Sequence, residues 1–95
     1  MPIYIFNTFN YPSALTGTTE AFGVNDTDQI VGSYLSAPTS PHGFLYSGGT
    51  YTALDDPLGD TGTTAAYGIN ASGQIVGYYQ TTGVTHGFRF NPGGV

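Results

Sequence analysis

Cysteine is absent from the 95 residues, so no disulfide framework is available and no thiolate chemistry can be drawn on. Lysine is absent too, and Arg89 is the sole permanent cation against six acidic side chains, for a formal net charge of −5. A chain this poor in positive charge cannot neutralise a phosphate backbone, which excludes nucleic acid and makes anionic membrane a poor partner. No apolar run is long enough for a membrane span or a signal peptide, so membrane insertion is not expected. If the protein is exported, its address lies outside these residues. Strong helix formers are scarce, with one Glu, one Met and no Lys. Only 7% of residues carry charge.

What fills the chain instead is aromatic and small. Eight Tyr and six Phe stand beside fifteen Gly, with Thr, Ser and Asn throughout. β-Branched and aromatic residues favour strands, and Gly, Asn, Asp and Pro favour the turns between them. The expected class is all-β. A hydrophobic fraction of 39% is globular, and the length allows one domain over residues 1–95 with a barely sufficient core.

An internal repeat sets the organisation. Residues 18–34 (TTEAFGVNDTDQIVGSY) and 63–79 (TTAAYGINASGQIVGYY) share ten of 17 positions at an offset of 45. The match continues from His42-Gly43-Phe44 to His86-Gly87-Phe88 at an offset of 44, because the second connecting loop is one residue shorter. Repeat one covers about 18–62 and repeat two about 63–95. A period in the mid-forties is that of a four-stranded propeller blade. Strand a is 21–24 or 66–69, then a turn at 25–28 or 70–73, and strand b is 29–34 or 74–79. Strand c runs from the His-Gly pair to Tyr46 or Phe90, and strand d is 51–54. Apolar residues fall on both faces of strand b, Ile75 and Tyr79 on one and Val76 and Tyr78 on the other. Such a sheet has to be covered twice, as stacked blades are.

Residues 4–12 (YIFNTFNYP) align at the same offset with 49–57 (GTYTALDDP), so the chain opens on a strand d and ends before making its last one. The expected fold is two propeller-type blades per chain, with repeat two completed by strand 4–9 of a neighbouring copy in a head-to-tail homo-oligomeric ring. Three copies make six blades and four make eight, within the usual range of about four to eight, and the trimer is favoured over the tetramer. A monomeric two-sheet β-sandwich is the alternative.

The run G-[VI]-N-x-x-x-Q-I-V-G-x-Y, followed by H-G-F-[LR]-[YF] and Y-x-x-L-D-D-P, resembles the bacterial extracellular repeat family named for its His-Ala-Phe tripeptide. Here the tripeptide is His-Gly-Phe in both copies. The resemblance covers nearly the whole chain and implies a tandem repeat on exported proteins, hence an extracellular or cell-surface location. It supplies no catalytic residues.

Propeller topology gathers the b–c and d–a connections on one rim. His42 and His86 open strand c there, Asp55 and Asp56 close strand d, and Thr63-Thr64 open strand a. With Tyr78 or Tyr79 as a stacking platform, these side chains are the candidate site for a carbohydrate. The competing reading has the His and Asp tying loops to blade corners. Asp26 and Asp28 flank Thr27 in a way that suggests calcium, but repeat two offers Ala71-Ser72-Gly73 there, and calcium wants six to eight oxygens. No zinc spacing, G-x-S-x-G elbow or phosphate-binding Gly loop is present. No cofactor or metal is expected. Asp55-Asp56 is the only adjacent carboxylate pair, and neighbours on an extended strand point to opposite faces. The expected function is a non-enzymatic module, structural or binding an extracellular ligand multivalently. The rival is a glycan hydrolase using Asp55 or Asp56 with His86.

Overall fold

The computed structural model describes residues 7–55, 59 and 62–91. Among them are seven strands and no helix: β1 (Glu20–Val24), β2 (Ile30–Leu35), β3 (Pro41–Ser47), β4 (Thr50–Leu54), β5 (Ala65–Ile69), β6 (Ile75–Thr81) and β7 (Val84–Phe90). They form two antiparallel sheets, one of order β1-β2-β3-β4 and one of order β5-β6-β7. The all-β class and the abcd and abc strands are therefore as the repeat implies. Of the expected strand 4–9, residues 4–6 lie outside the described residues, and 7–9 are in no strand.

The two sheets repeat one another in detail. The first strand of each sheet carries a bulge, at Phe22 in β1 and Tyr67 in β5. The bulge brings the Glu20 carbonyl over Gly32 and the Ala65 carbonyl over Gly77, where a Cβ would overlap it. Only glycine fits under either bulge. The a–b turns need a left-handed residue at one position, filled by Asp28 (φ 59°) in the first copy and Gly73 (φ 82°) in the second.

The b–c connections differ more than the sequence suggests. Strand c of repeat two starts at Val84 rather than His86. The two-residue turn Thr82-Gly83, with both φ values positive, lets pairing run on to Thr81↔Val84. In repeat one the loop 36–40 interrupts pairing at Leu35↔Pro41.

Alternation and register divide each sheet into two faces. In the first sheet Tyr34, His42, Phe44, Tyr46 and Tyr51 share one face, and Val31, Leu45 and Leu54 share the other. In the second, Ile75, Tyr79, His86, Phe88 and Phe90 lie on the side equivalent to Phe44, and Val76 and Tyr78 on the side equivalent to Val31. The core joins unlike faces. Val31 and Leu54 of the first sheet bury against Ala66 and Ile75 of the second, with Leu45 and Ile69 beside them. Val31 and Ile75 are wholly buried, each contributing about 1.5–3 kcal/mol of transfer free energy.

β1 and β5 come into close backbone contact. A Cβ on Gly23 would lie 3.1 Å from the Tyr67 carbonyl oxygen and 3.2 Å from the Gly68 Cα. At the outer side a groove of about 230 Å³ opens between β4 and β7, lined by Leu54, Phe88 and Phe90 among others. The first sheet's other face is covered by the N-terminal segment. Phe9 packs edge-on to Tyr46, and Tyr11 stacks flat on Tyr34 at 3.9 Å and borders Phe44 and Tyr51.

Candidate functional site

The corner where β2 passes to β3 assembles a polar chain. His42, the second residue of β3, lies opposite Tyr34 of β2, and the two rings stack at 5.2 Å. Asp55 follows β4, and its Oδ1 lies 2.8 Å from His42 Nδ1. A carboxylate only accepts, so Nδ1–H donates to it. Nε2 of the neutral ring then accepts from the Ser36 hydroxyl, also at 2.8 Å. His42 is 15% exposed and Asp55 48%.

Repeat two builds the same corner from other residues. His86 stacks on Tyr79 at 5.1 Å, and its Nε2 lies 2.8 Å from the Thr81 hydroxyl. Thr81 occupies the place of Ser36. Its Nδ1 has no partner among the described residues, because the equivalent of Asp55, at the end of a fourth strand, is not in this sheet. Threonines at the head of strand a close both corners. Thr18 Oγ1 accepts from the Leu35 amide, and Thr63 Oγ1 from the Gln80 amide, each at 3.2 Å.

Of the residues expected to converge, the structure joins His42 to Asp55 and His86 to Tyr79. Asp56 lies outside the described residues. Tyr78 sits on the opposite face of the second sheet from Tyr79 and stacks on Tyr67 at 5.4 Å. A hydrogen bond with Tyr78 and burial together push the Tyr67 hydroxyl pKa up. Tyr79 is approached by the Cα of Gly59, where a Cβ would come within 3.0 Å of the ring. Tyr34 is enclosed between Tyr11 and His42; burial, and then a hydrogen bond with Tyr11, push its pKa above the ordinary 10.0.

Sequence reasoning missed Ser36, Thr81, Tyr11 and Tyr34. The signal was present for three of them, since Ser36 and Thr81 are hydroxyls at the repeat offset and Tyr34 matches Tyr79. Tyr11 has no such mark.

The hydroxyl–imidazole–carboxylate order of Ser36, His42 and Asp55 is the connectivity of a nucleophile triad. Acyl transfer also needs a cavity beside the hydroxyl and free amides for an oxyanion. The Ser36 amide donates to the Ser40 carbonyl at 3.1 Å, and Ser36 does not line the β4–β7 groove or the grooves at residues 10–19 and beside Tyr46. The arrangement satisfies its own polar groups and pins loop 36–40 and the end of β4 to β3. Among the described residues no three acidic or His side chains gather as for a metal ion.

Comparison with family models, with curated proteins and with solved structures finds no match to this chain.

Proposed function

We propose that this chain is a non-enzymatic, propeller-type repeat module that assembles head to tail with copies of itself and presents its rim corners to an extracellular ligand. The observation that carries the reading is the unlike-face core, in which the Val31 side of one sheet meets the Ala66–Ile75 side of the next. A two-fold sandwich joins like faces and is finished after one contact. A head-to-tail contact leaves unlike faces at its two ends, the Val76 side of the second sheet and the Phe44 side of the first, which within one chain meets the N-terminal segment, and it closes only when the rotation between neighbours completes a ring.

Further features support it. β1 and β5 meet backbone to backbone at Gly23 while a groove lies between β4 and β7, which supports a wedge of the kind that blades need around an axis. The free side of the second sheet carries Tyr67 (44% exposed) and Val76 (49%), apolar groups that a further blade would cover. Two blades per chain make three copies the favoured ring.

The linked motifs around Gln29-Ile30-Val31-Gly32 and His42-Gly43-Phe44 support kinship with the His-Ala-Phe repeats and an extracellular or cell-surface setting. A carbohydrate is the favoured ligand class, held weakly and many times over. Asp55 supports this, because half of its surface stays open beside a corner tyrosine. The hydrolase alternative gains nothing from the geometry, since Asp55 is spent on His42 rather than paired with His86.

Val76→Glu tests the reading. It puts a charge on the free face and leaves the inter-sheet core untouched. The variant is expected to sediment as a folded single chain where the wild type sediments as an assembly; identical sedimentation of the two would overturn the proposal.

A further inference from the structure

The edge of β7 differs from the edge of β3 in three ways, and each points to the same missing neighbour. The first concerns a glycine. Gly43 of β3 has no room for a side chain, because the Leu54 carbonyl oxygen would stand 2.9 Å from its Cβ and the Ala66 nitrogen 3.3 Å. Gly87, its equivalent in β7, meets nothing nearer than the Gly77 carbonyl oxygen at 3.9 Å among the described residues. The second is the imidazole of His86, whose Nδ1 lacks the partner that Asp55 gives His42. The third is the groove beside β7, bordered by Phe88 and Phe90 on one side and Thr52–Asp55 on the other.

By the repeat alignment, Phe9 is the equivalent of Leu54, Asn10 of Asp55 and Ala21 of Ala66. A chain cannot supply its own Phe9 and Asn10 to this edge. Phe9 lies against Tyr46 and Tyr11 against Tyr34, on the side of the first sheet turned away from the second.

We infer that Asn7–Asn10 of a second copy seat along β7, with Phe9 opposite Gly87, Thr8 opposite Phe88 and Asn7 opposite Arg89, and that Asn10 of that copy completes the His86 corner. The register is that of β4 on β3, where Leu54 faces Gly43, Ala53 faces Phe44 and Thr52 faces Leu45. The Phe9 carbonyl then fills the space at Gly87, and the Asn10 side-chain oxygen accepts from His86 Nδ1–H. Corners around the assembly alternate between an acid, Asp55, and an amide, Asn10. This inference rests on the head-to-tail reading and adds to it which edge and which residues make the joint.

Gly87→Ala is the decisive variant, because the single chain has room for the methyl group and the joint does not. It is expected to keep its β-sheet circular dichroism and to weaken assembly at least tenfold, as read from the concentration dependence of mass by light scattering. Asn10→Ala is expected to weaken assembly several-fold, and Asn10→Asp to restore it by copying the Asp55–His42 pair. If the wild type assembles and Gly87→Ala assembles equally well, the joint lies elsewhere while the head-to-tail reading stands. Loss of the β signature in Gly87→Ala contradicts the open space at this edge and likewise overturns the inference. A wild type that does not assemble at all overturns the reading beneath it.

Discussion

The side-chain amide of Asn25 donates to the backbone carbonyl of Asn70 at 2.9 Å, so that each residue meets its own counterpart one repeat away. The relation runs one way. Asn70 turns its amide to Gln74 of its own turn, as Asn25 also does to Gln29. Asn25 is thus both the plug of its turn, accepting from the Thr27 and Gln29 amides, and a tie between sheets. Asn70 has only the first task within one chain. In a head-to-tail assembly it would gain the second by reaching Asn25 of the next copy.

Replacing these two residues separates the tasks. In dissociated chains Asn25→Ala is expected to cost ~2–4 kcal/mol more than Asn70→Ala, because Asn25 alone bonds the Asn70 carbonyl and alone accepts from the Thr27 amide and hydroxyl. In the assembled state the difference should narrow by about 1 kcal/mol, the worth of the bond that Asn70 gains. Urea unfolding at low and high protein concentration measures both.

The inter-sheet core is small, so single changes in it weigh heavily. Ile75→Ala removes a wholly buried side chain and is expected to cost ~2–5 kcal/mol, much of the stability of a domain this size. Gly23→Ala, which pushes a methyl group to 3.1 Å from the Tyr67 carbonyl oxygen, is expected to cost ~1–3 kcal/mol. Thermal unfolding followed by near-ultraviolet circular dichroism checks the two together.

The abcd order and the two-sided apolar pattern were legible in the sequence, because glycine and asparagine recur at fixed offsets wherever the backbone needs them. Gly32 and Gly77 sit under the bulges, and Asn25 and Asn70 hold the turns. Two things were not legible. Thr82-Gly83 makes a two-residue hairpin that lengthens β6 and β7, and an offset of one residue does not reveal that pairing. The unlike-face packing depends on how side chains from different repeats interlock, which a one-dimensional pattern does not encode. The corner was legible in part: His42 and Asp55 come together, and Tyr78 and Tyr79 turn to opposite faces, both as read from the sequence, whereas the part played by Ser36 and Tyr11 was not read there.

Alkaline titration probes the aromatic stack. The folded-state pKa of the Tyr34 hydroxyl is raised above the unfolded value of 10.0, so its contribution is whole below about pH 10 and is lost as pH climbs beyond it. The wild type is expected to lose stability steadily above pH 10, and Tyr34→Phe to lose distinctly less over the same range. Parallel curves for the two proteins would show that the hydroxyl is not the source.

The Ser36–His42–Asp55 chain is expected to behave as a strut with one open carboxylate. An organofluorophosphonate should leave Ser36 unlabelled after prolonged exposure, and His42→Ala should lower the melting temperature. Asp55→Ala should lose any glycan signal on an array with about 1 kcal/mol of stability, from the hydrogen bond to His42. Labelling of Ser36 would instead identify a working nucleophile.

The central claim is head-to-tail closure, and native mass spectrometry of the unmodified protein at micromolar concentration tests it most directly. A closed ring of three chains predicts one discrete species at three times the 9.9 kDa chain mass, with no ladder of larger forms. A single species at the mass of one chain would contradict it.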